Sequence, residues 1–354
     1  MLKNYVSAMD CWQGRVDTTE DYDAFRWHQW VEELDLNSNT KPFDGKLGFG
    51  IIGFCSEQGV RRNKGRVGTA LAPDFIRKQM SNLPCTFEPQ VKIFDAGDIL
   101  CQEISMEEGQ ALLAKAVQQI LDLNLFPIVL GGGHETTFGH FMGQLYHQEH
   151  NLAGDGKDSS AESMKTPDMG IINFDAHFDL RPYDNGSSSG SMFRQIADIC
   201  QSKGMKYGYM PMGIQKHSNT VSLFKTAESL RVNYVLARDI QYGTYASILE
   251  KVDTFLYDHD SAYITICTDV FSSAFAPGVS ATQSIGLDPE VVLPIIKHIL
   301  RTRKVRGFDI CEISPRFDQD DTTASLGAVI IFSVVNTICK LKGLGINTES
   351  DYYA

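Results

Sequence analysis

Three residues that follow an apolar stretch have the types and spacing of a metal site. Ile171 and Ile172 fit the end of a buried strand, and Asp175, His177 and Asp179 follow at every second position. Because side chains of an extended chain alternate between faces, these three point to the same side. Two carboxylates and an imidazole are costly to bury together unless a cation lies between them. Their oxygen and imidazole ligands suit Mn²⁺, Zn²⁺ or Fe²⁺, and we favour this interpretation over a polar strand end in water.

Other candidate ligands follow two further predicted strands. His134 comes after three glycines, which let the backbone turn sharply and approach a ligand closely. Cys267 and Asp269 are two positions apart at the end of an apolar strand, so they share a face and could complete a two-metal site. The alternatives are a helix-start residue for His134 and a buried core cysteine for Cys267.

Glu312 and a basic loop are the candidates for contact with a substrate. Glu312 ends an apolar strand without a nearby cation, which suits either a cationic substrate group or a structural carboxylate. The loop 59–68 carries four cations in ten residues of an acidic protein. Arginine is well shaped for carboxylates, so this loop is either a solvated surface or a site for an anionic substrate.

Strands and helices alternate along the chain, and helical segments with N-terminal capping signals separate many of the strands. About eight strand–helix units predict a parallel sheet covered by helices, either a closed barrel or an open sheet. In both, sites form at the carboxyl ends of strands, where the candidate residues lie. The predicted strands are 47–55, 91–94, 126–130, the segment ending at 172, and those near 207–213, 232–237, 262–268 and 305–311.

The sequence predicts one domain over residues 1–354. Residues 1–45 are polar and irregular, with three tryptophans among acidic residues, and are predicted to be an arm packed on the outside. Residues 152–167 are small and polar, which is typical of a surface insertion. Residues 345–354 are predicted to be a loose tail.

The composition narrows the function further. The 354 residues are 43% hydrophobic, enough for a large core, and the net charge of -12 argues against nucleic acid or an anionic membrane as partner. We expect no apolar run near the ~20 residues that span a bilayer, and no secretion signal. The eight cysteines are scattered without a C-x-x-C pair, which is typical of reduced thiols in a cytoplasmic protein.

Three ordered motifs resemble the arginase/agmatinase (ureohydrolase) family. They are Gly132-Gly-His134, Asp175-Ala-His-Phe-Asp179 and the segment 265–278. In most of the family the third motif carries two aspartates, with a proline eight residues beyond the second. Pro277 lies eight residues beyond Asp269, so Cys267 takes the place of the first aspartate, which normally bridges both metals.

The resemblance, which covers residues from about 47 to 341, implies both a fold and a metal centre. The implied fold is an open three-layer α/β/α arrangement around a mostly parallel sheet of about eight strands. The implied centre holds two Mn²⁺ ions and a bridging hydroxide. Its implied ligands are His134, Asp175, His177, Asp179, Cys267 and Asp269.

A closer resemblance within the family implies the reaction. It rests on the segments 59–66, 175–181, 188–195 and 312–318. These indicate hydrolysis of N-formimidoyl-L-glutamate to L-glutamate and formamide, whereas Phe193, where arginases have a proton-shuttling histidine, argues against arginase activity. Glu312 would pair with the amidinium group, and Asp179 would transfer a proton to the departing nitrogen. The candidates for binding the substrate carboxylates are Arg61, Arg62, Asn63, Arg66 and Arg181.

Two alternatives stay open at this point. Another amidino- or guanidino-acid hydrolase would share the metals and Glu312 but bind a different tail. A metal-poor relative that binds without catalysis is the second alternative, and the departures at Cys267 and Phe193 keep it open. In either enzyme hypothesis the partner is a small-molecule substrate, and a homo-oligomer is compatible with the sequence.

Overall fold

One mixed sheet forms the centre of the protein. The computed structural model describes residues 1–155 and 166–346, and ten strands, β1 to β10, lie in these ranges. Their order across the sheet is β1-β4-β3-β5-β10-β9-β6-β7-β8, and β2 pairs with β4. The strands are Tyr5–Val6, Glu32–Glu33, Leu47–Cys55, Val91–Leu100, Phe126–Leu130, Met169–Phe174, Gly208–Ile214, Val235–Leu236, Ser261–Cys267 and Val305–Cys311.

The eight strands from β4 to β8 in this order are all parallel. The first and last strands of the order lie at opposite ends, so the sheet is open and not a closed barrel. Two short strands from the N-terminal segment raise the count to ten: β1 is antiparallel to β4, and β2 is parallel to it. The predicted α/β fold with about eight mostly parallel strands is confirmed.

Helices cover both faces of the sheet, as parallel strands require. In the described ranges the helices α1 to α11 are Trp27–Trp30, Gln58–Arg62, Ala72–Met80, Met106–Asp122, Thr136–Asp155, Met192–Ser202, Val221–Ser229, Ala237–Tyr242, Tyr245–Tyr257, Pro289–Arg301 and Thr322–Leu341. One face packs against α3, α8, α9, α10 and α11, and the other against α4 to α7. The three-layer α/β/α arrangement that the resemblance implied is therefore present.

Alternating side chains of one strand show how the two cores are divided. On β3, Phe49 and Ile51 pack into the core beneath α3, α10 and α11, whereas Ile52 and Phe54 pack beneath α4. This period of two is the geometry of any extended chain, and burial on both sides makes β3 almost continuously apolar. A Cβ at Gly50 would lie 2.6 Å from a carbon of Ile120, so the glycine lets α4 approach the sheet closely.

Local sequence signals fix where several helices begin. The Ser105 hydroxyl accepts a hydrogen bond from the Glu108 amide, and the Glu108 carboxylate accepts one from the Ser105 amide, which forms a capping box at α4. The helix α10 has Asp288 as its N-cap and Pro289 in its first turn. These signals satisfy amide groups that otherwise lack partners at a helix start.

The N-terminal segment is joined to the core by buried polar contacts. Trp27 is fully buried, and the Trp12 indole donates a hydrogen bond of 2.6 Å to Asp95. Asp95 and Asp98 also pair with Arg77, at 2.7 Å each, and the Arg77 guanidinium is wholly inaccessible to solvent. The arm predicted over residues 1–45 therefore does not lie only on the outside of the protein, because some of its side chains enter the interior.

Two predicted surface segments lie mostly outside the described residues. The helix α5 continues to Asp155, and residues 156–165 of the predicted insertion 152–167 are not described. Of the predicted tail, Gly345 forms a bridge with Phe87, and residues 347–354 are not described. The division into these segments stays a prediction.

The helix α11 corrects one expectation from the sequence. It has 20 residues with a mean hydropathy of 1.8, so by length and composition alone it could cross a membrane. Half of it is buried, and it packs between α3 and α10, which is the behaviour of a core helix. The expectation that no apolar run approaches the spanning length was wrong, because a helix buried in a large core is also apolar.

Candidate metal centre and active site

Four neighbouring strands, β5, β10, β9 and β6, lie at the middle of the sheet and end at the same edge. All seven candidate metal and catalytic residues lie at or just beyond these four ends, where open α/β sheets bind their ligands. His134 follows β5, Glu312 follows β10, Cys267 and Asp269 end and follow β9, and Asp175, His177 and Asp179 follow β6.

Two hydrogen bonds connect the turn that carries His134 to Glu312, at the end of β10. The Glu312 amide donates to the Gly132 carbonyl over 2.8 Å, and the Glu312 carboxylate accepts from the His134 amide over 2.6 Å. A Cβ at Gly132 would lie 2.0 Å from the Ser56 carbonyl oxygen, so only glycine fits this approach. Glu312 itself has a φ of 69°, in the left-handed region that costs a residue with a side chain roughly 1–2 kcal/mol. Such strain is typical of functional sites.

Two groups of side chains could each hold a metal ion, and Asp175 belongs to both. The first group is His134, Asp175 and Cys267, and the second is Asp175, His177 and Asp269, with ligand atoms within 4.8 Å of one another. One oxygen of Asp175 lies 3.1 Å from His134 Nδ1, and the other lies 3.4 Å from His177 Nδ1. Asp175 would therefore help to hold both ions.

Asp179 lies beside the first group. Its carboxylate oxygen is 2.9 Å from His134 Nδ1. Its φ of 48° places the backbone in the left-handed region, and the chain bends there as it leaves the motif. The three members of D-x-H-x-D are therefore brought together, although Asp179 follows a bend and not a regular strand.

The buried carboxylates of this centre favour the binding of cations. Burial lowers the pKa of His134, but Asp175 and Asp179 outweigh it and hold that pKa well above its usual value. Burial likewise lowers the pKa of His177, and Asp269 and Asp175 raise it far more. Burial and the charge of Asp175 raise the pKa of Asp179 to about 6. Protons on the histidines thus balance the carboxylates, and divalent ions would replace those protons.

Two unpartnered oxygens support the fit to metal ions and a substrate. Asp269 Oδ1 and Glu312 Oε2 are buried and have no hydrogen-bond partner in the structure. Buried polar atoms without partners cost about 1–3 kcal/mol each and call for an explanation such as an ion. Cys267 also fits the first group by position, but burial, Asp175 and Asp269 raise the pKa of its thiol well above the usual value. It must lose that proton to bind a metal.

A hydrogen-bond chain that the sequence did not reveal holds His134. The Nε2 atom of His134 lies 3.1 Å from the hydroxyl of Thr265, which lies 3.0 Å from the hydroxyl of Thr137. The Thr137 hydroxyl is 3.5 Å from the Asp309 carboxylate, and the other oxygen of that carboxylate is 2.7 Å from His140 Nδ1. With Nε2 engaged, Nδ1 faces Asp175 and is available as a ligand. The available signal was weak: Thr265 is two residues before Cys267, on the same strand face.

Phe193 also contacts His134. Its ring lies edge-on to the imidazole, with centroids 5.5 Å apart, and stacks on Tyr209 at 4.1 Å. Phe193 is fully buried and cannot carry a proton. The structure therefore supplies no proton-shuttling side chain at this position.

A cavity of about 240 Å³ opens above the two groups. Glu312 lies in its buried part, and burial together with Glu135 raises the Glu312 pKa to about 8. Three of the five predicted substrate-binding residues reach the cavity, whereas Arg61 and Arg62 pair instead with Glu57 and Glu107. The lining residues are Asn63, Lys64, Gly65, Arg66, His134, His177, Asp179, Arg181, Ser189, Cys267, Asp269, Ser280, Ala281 and Glu312.

The sequence analysis missed Lys64, Ser189 and Ser280 among these lining residues. Lys64 is part of the basic loop, which was a usable signal. Ser280 lies in the loop after β9 and Ser189 in the serine- and glycine-rich loop after β6. Hydroxyls in such loops are common without a ligand, so no local pattern separates these two from ordinary loop residues.

The open α/β/α sheet and the carboxylate–histidine centre at its edge are typical of metal-dependent α/β enzymes. A model of the arginase family matches residues 47–336, which is most of the chain. The chain therefore belongs to the arginase family, as the three motifs predicted.

Relatives and solved structures agree with this assignment. The chain is 56% identical to a formimidoylglutamase of Clostridium tetani over 343 residues, covering 95% of this chain and 97% of the relative. It is 40% identical to a formimidoylglutamase of Geobacillus thermodenitrificans, and the alignment covers 90% of this chain and 92% of that relative. The crystal structure of formimidoylglutamase from Bacillus subtilis shares the fold with a TM-score of 0.75 at 20% identity, covering 94% and 98%. A Trypanosoma cruzi formiminoglutamase structure with Mn²⁺ gives a TM-score of 0.70 at 22% identity, covering 86% and 96%.

Proposed function

We propose that this hydrolase converts N-formimidoyl-L-glutamate and water to L-glutamate and formamide. The single observation that carries this proposal is the 56% identity to a formimidoylglutamase across nearly the whole length of both chains. The polarity of the cavity supports it independently. Glu312 and the carboxylates lie at the buried end, and the cations Lys64, Arg66 and Arg181 lie around the cavity, matching a cationic amidine and a dianionic tail.

The residues present fit two Mn²⁺ ions. His134, Asp175 and Cys267 would hold one ion, Asp175, His177 and Asp269 the other, and Asp179 would complete the first site. When bound, the ions would activate a water molecule for attack on the amidine carbon at neutral pH. The Trypanosoma cruzi formiminoglutamase structure that shares the fold contains Mn²⁺, and oxygen-rich donor sets suit that ion.

Glu312 holds the reacting end of the substrate. Its buried carboxylate has one oxygen bonded to the His134 amide and one without a partner, which is available to the amidinium group. Pairing with that cation would lower the raised pKa of Glu312 and keep the carboxylate charged. The orientation of the amidine carbon is then fixed before reaction.

Asp179 moves a proton. In the structure its carboxylate lies 2.9 Å from His134 Nδ1, beside the first metal group, where it can reach a water molecule that the ions activate. Asp179 would accept a proton from the attacking water and pass it to the substrate nitrogen as the C–N bond to glutamate breaks. Phe193 packs edge-on against the His134 ring and offers no group that could carry a proton there.

Product analysis with Mn²⁺ present tests this function. We expect formamide and glutamate in equal amounts from N-formimidoyl-L-glutamate. Ammonia with N-formylglutamate would mean that the other C–N bond breaks, and urea from a guanidino acid without formamide would indicate the alternative hydrolase. Either result would contradict the proposal. The cytoplasmic location and the homo-oligomer stay predictions.

A further inference from the structure

The four cations of the basic loop have different surroundings. Arg61 pairs with Glu57 at 2.6 Å, and Arg62 pairs with Glu107. Arg66 is bound to the Val279 carbonyl and lies 4.4 Å over the ring of Phe317. Lys64 differs, because its ammonium group makes no ion pair or hydrogen bond within residues 1–155 and 166–346, and it lines the cavity.

The backbone at Lys64 determines which replacements the fold should tolerate there. Lys64 directly follows the C-cap Asn63 of α2 with a φ of 63°; its amide donates to the Arg61 carbonyl, and the Gly65 amide donates to the Val60 carbonyl. This is the Schellman arrangement, in which glycine is the usual residue at the left-handed position. A lysine there is strained, as Arg231 is in the same arrangement after α7, so the fold should tolerate glycine at either position.

Arg181 is the matching cation across the D-x-H-x-D segment. Its side chain also has no ion pair among the described residues, and it lines the same cavity. Its stem lies against Gly190, where a Cβ would come within 2.9 Å of an Arg181 carbon. Arg66 also lines the cavity, but carbonyl groups and the Phe317 ring hold its guanidinium. Among the described residues, Lys64 and Arg181 are therefore the lining cations whose side chains make no ion pair or hydrogen bond, and the proposed substrate carries two carboxylates.

We propose that Lys64 determines substrate specificity by binding the carboxylate farther from the amidine group, with Arg181 binding the nearer one. This rests on the proposed function. Glu312 is 2% exposed and holds the amidine at the buried end, so the far end of the substrate reaches the outer part of the cavity, where Lys64 is exposed. A lysine ammonium on a flexible stem suits a mobile terminal carboxylate.

The replacement Lys64→Gly separates binding from folding. Glycine relieves the left-handed strain, so the thermal midpoint should equal or exceed that of the wild type. Loss of one charge-assisted contact should raise KM for N-formimidoyl-L-glutamate about ten-fold or more and leave kcat little changed. For the γ-amide, N-formimidoyl-L-glutamine, KM should change little. Lys64→Asn, which also tolerates this backbone, should behave in the same way.

Arg231→Gly is the matched control. Arg231 has a φ of 55° after α7, with its amide bonded to the Glu228 carbonyl and the Val232 amide to the Ala227 carbonyl. The control removes the same charge and the same strain from an identical motif outside the cavity. Its thermal midpoint should behave like that of Lys64→Gly, with KM unchanged.

The possible results separate the two proposals. Unchanged KM in active Lys64 variants would overturn the role of Lys64 alone. Equal increases for the glutamate and glutamine substrates would overturn the assignment to the far carboxylate. Wild-type protein that releases no formamide in Mn²⁺ would overturn the proposed function and this inference together.

Discussion

Cys267 is the residue whose chemistry most affects this metal centre. A thiolate is softer than a carboxylate and is less suited to Mn²⁺, and only one of its atoms can coordinate, whereas both oxygens of Asp175 face the centre. Burial and the surrounding carboxylates also raise the Cys267 pKa, so removal of its proton costs free energy before a metal binds. We therefore expect the ion in the first group to be held more weakly than that in the second.

The replacement Cys267→Asp should increase the Mn²⁺ content of the purified protein toward two ions per chain. The reason is that an aspartate supplies a harder ligand at the same position and loses its proton more readily. Elemental analysis after dialysis at limiting Mn²⁺ measures this. Cys339→Ala, at a buried cysteine on α11, is the control and should leave the metal content unchanged. Unchanged metal content and activity in Cys267→Asp would mean that Cys267 only fills the core.

Protonation of His134 and His177 predicts how metal binding depends on pH. Their pKa values are raised in the metal-free centre, so both are protonated at neutral pH, and Mn²⁺ must displace those protons. Affinity should therefore rise with pH between 6 and 8, by about ten-fold per pH unit for each proton displaced. Calorimetry in buffers with different ionisation enthalpies counts the released protons. Binding without proton release would contradict these protonation states.

At the scale of elements, adjacent strands hold the ligands in a fixed geometry. Thr265 on β9 is paired in register with Asn173 on β6 and with Asp309 on β10. These polar side chains are fully buried in the middle of the sheet. They form the layer beneath the metal centre, and their hydrogen bonds restrict the orientation of His134.

The replacement Thr265→Val tests this layer. It keeps the shape of the side chain and removes the hydroxyl that contacts His134 Nε2, so Mn²⁺ affinity should fall by about 10–100-fold. Metal titration followed by calorimetry measures the change. Thr226→Val, at a half-buried position on α7, is the control and should bind Mn²⁺ as the wild type does. Unchanged affinity in Thr265→Val would show that His134 is oriented by its other contacts.

Regular elements could be predicted from the sequence where burial and local propensity agree. The strands 47–55 and 126–130 have the predicted bounds. The strand predicted at 91–94 extends to Leu100 because Arg77 compensates Asp95 and Asp98, which would otherwise disfavour a buried strand. That compensation comes from a distant helix, and so no local pattern reveals it.

In the candidate site, too, local sequence patterns predicted some features, and others depend on long-range contacts. Motif spacing identified the candidate ligands that the structure brings together in two groups, because strand ends at one edge follow from the parallel topology. It could not separate Arg62, which pairs with Glu107 45 positions away, from Lys64, which lines the cavity. Long-range pairing of this kind depends on the tertiary structure alone.

At the scale of the whole molecule, one buried ionic cluster connects the N-terminal segment to the sheet. The Arg77 guanidinium on α3 binds Asp95 and Asp98 of β4, and Trp12 donates to the same Asp95. Charges without access to water depend on one another, since removal of one partner leaves the others uncompensated. The cluster therefore joins three parts of the chain: the N-terminal segment, α3 and β4.

The replacement Arg77→Met should lower the free energy of unfolding by about 3–5 kcal/mol, because it leaves two buried carboxylates without a cation. Urea denaturation of the metal-free protein measures this without a contribution from bound ions. Lys78→Met, at the exposed neighbouring position, should change stability by less than about 1 kcal/mol. A similar small effect for Arg77→Met would contradict the role of the cluster.

The central claim is that this chain hydrolyses N-formimidoyl-L-glutamate with a two-ion centre formed at the ends of four strands. The most direct measurement is formamide release by metal-free protein supplied with zero, one and two equivalents of Mn²⁺. We predict no release without metal and an increase up to two equivalents, with Asp175→Ala inactive throughout. Release that is equal with and without Mn²⁺, or none at any level of the ion, would contradict the claim.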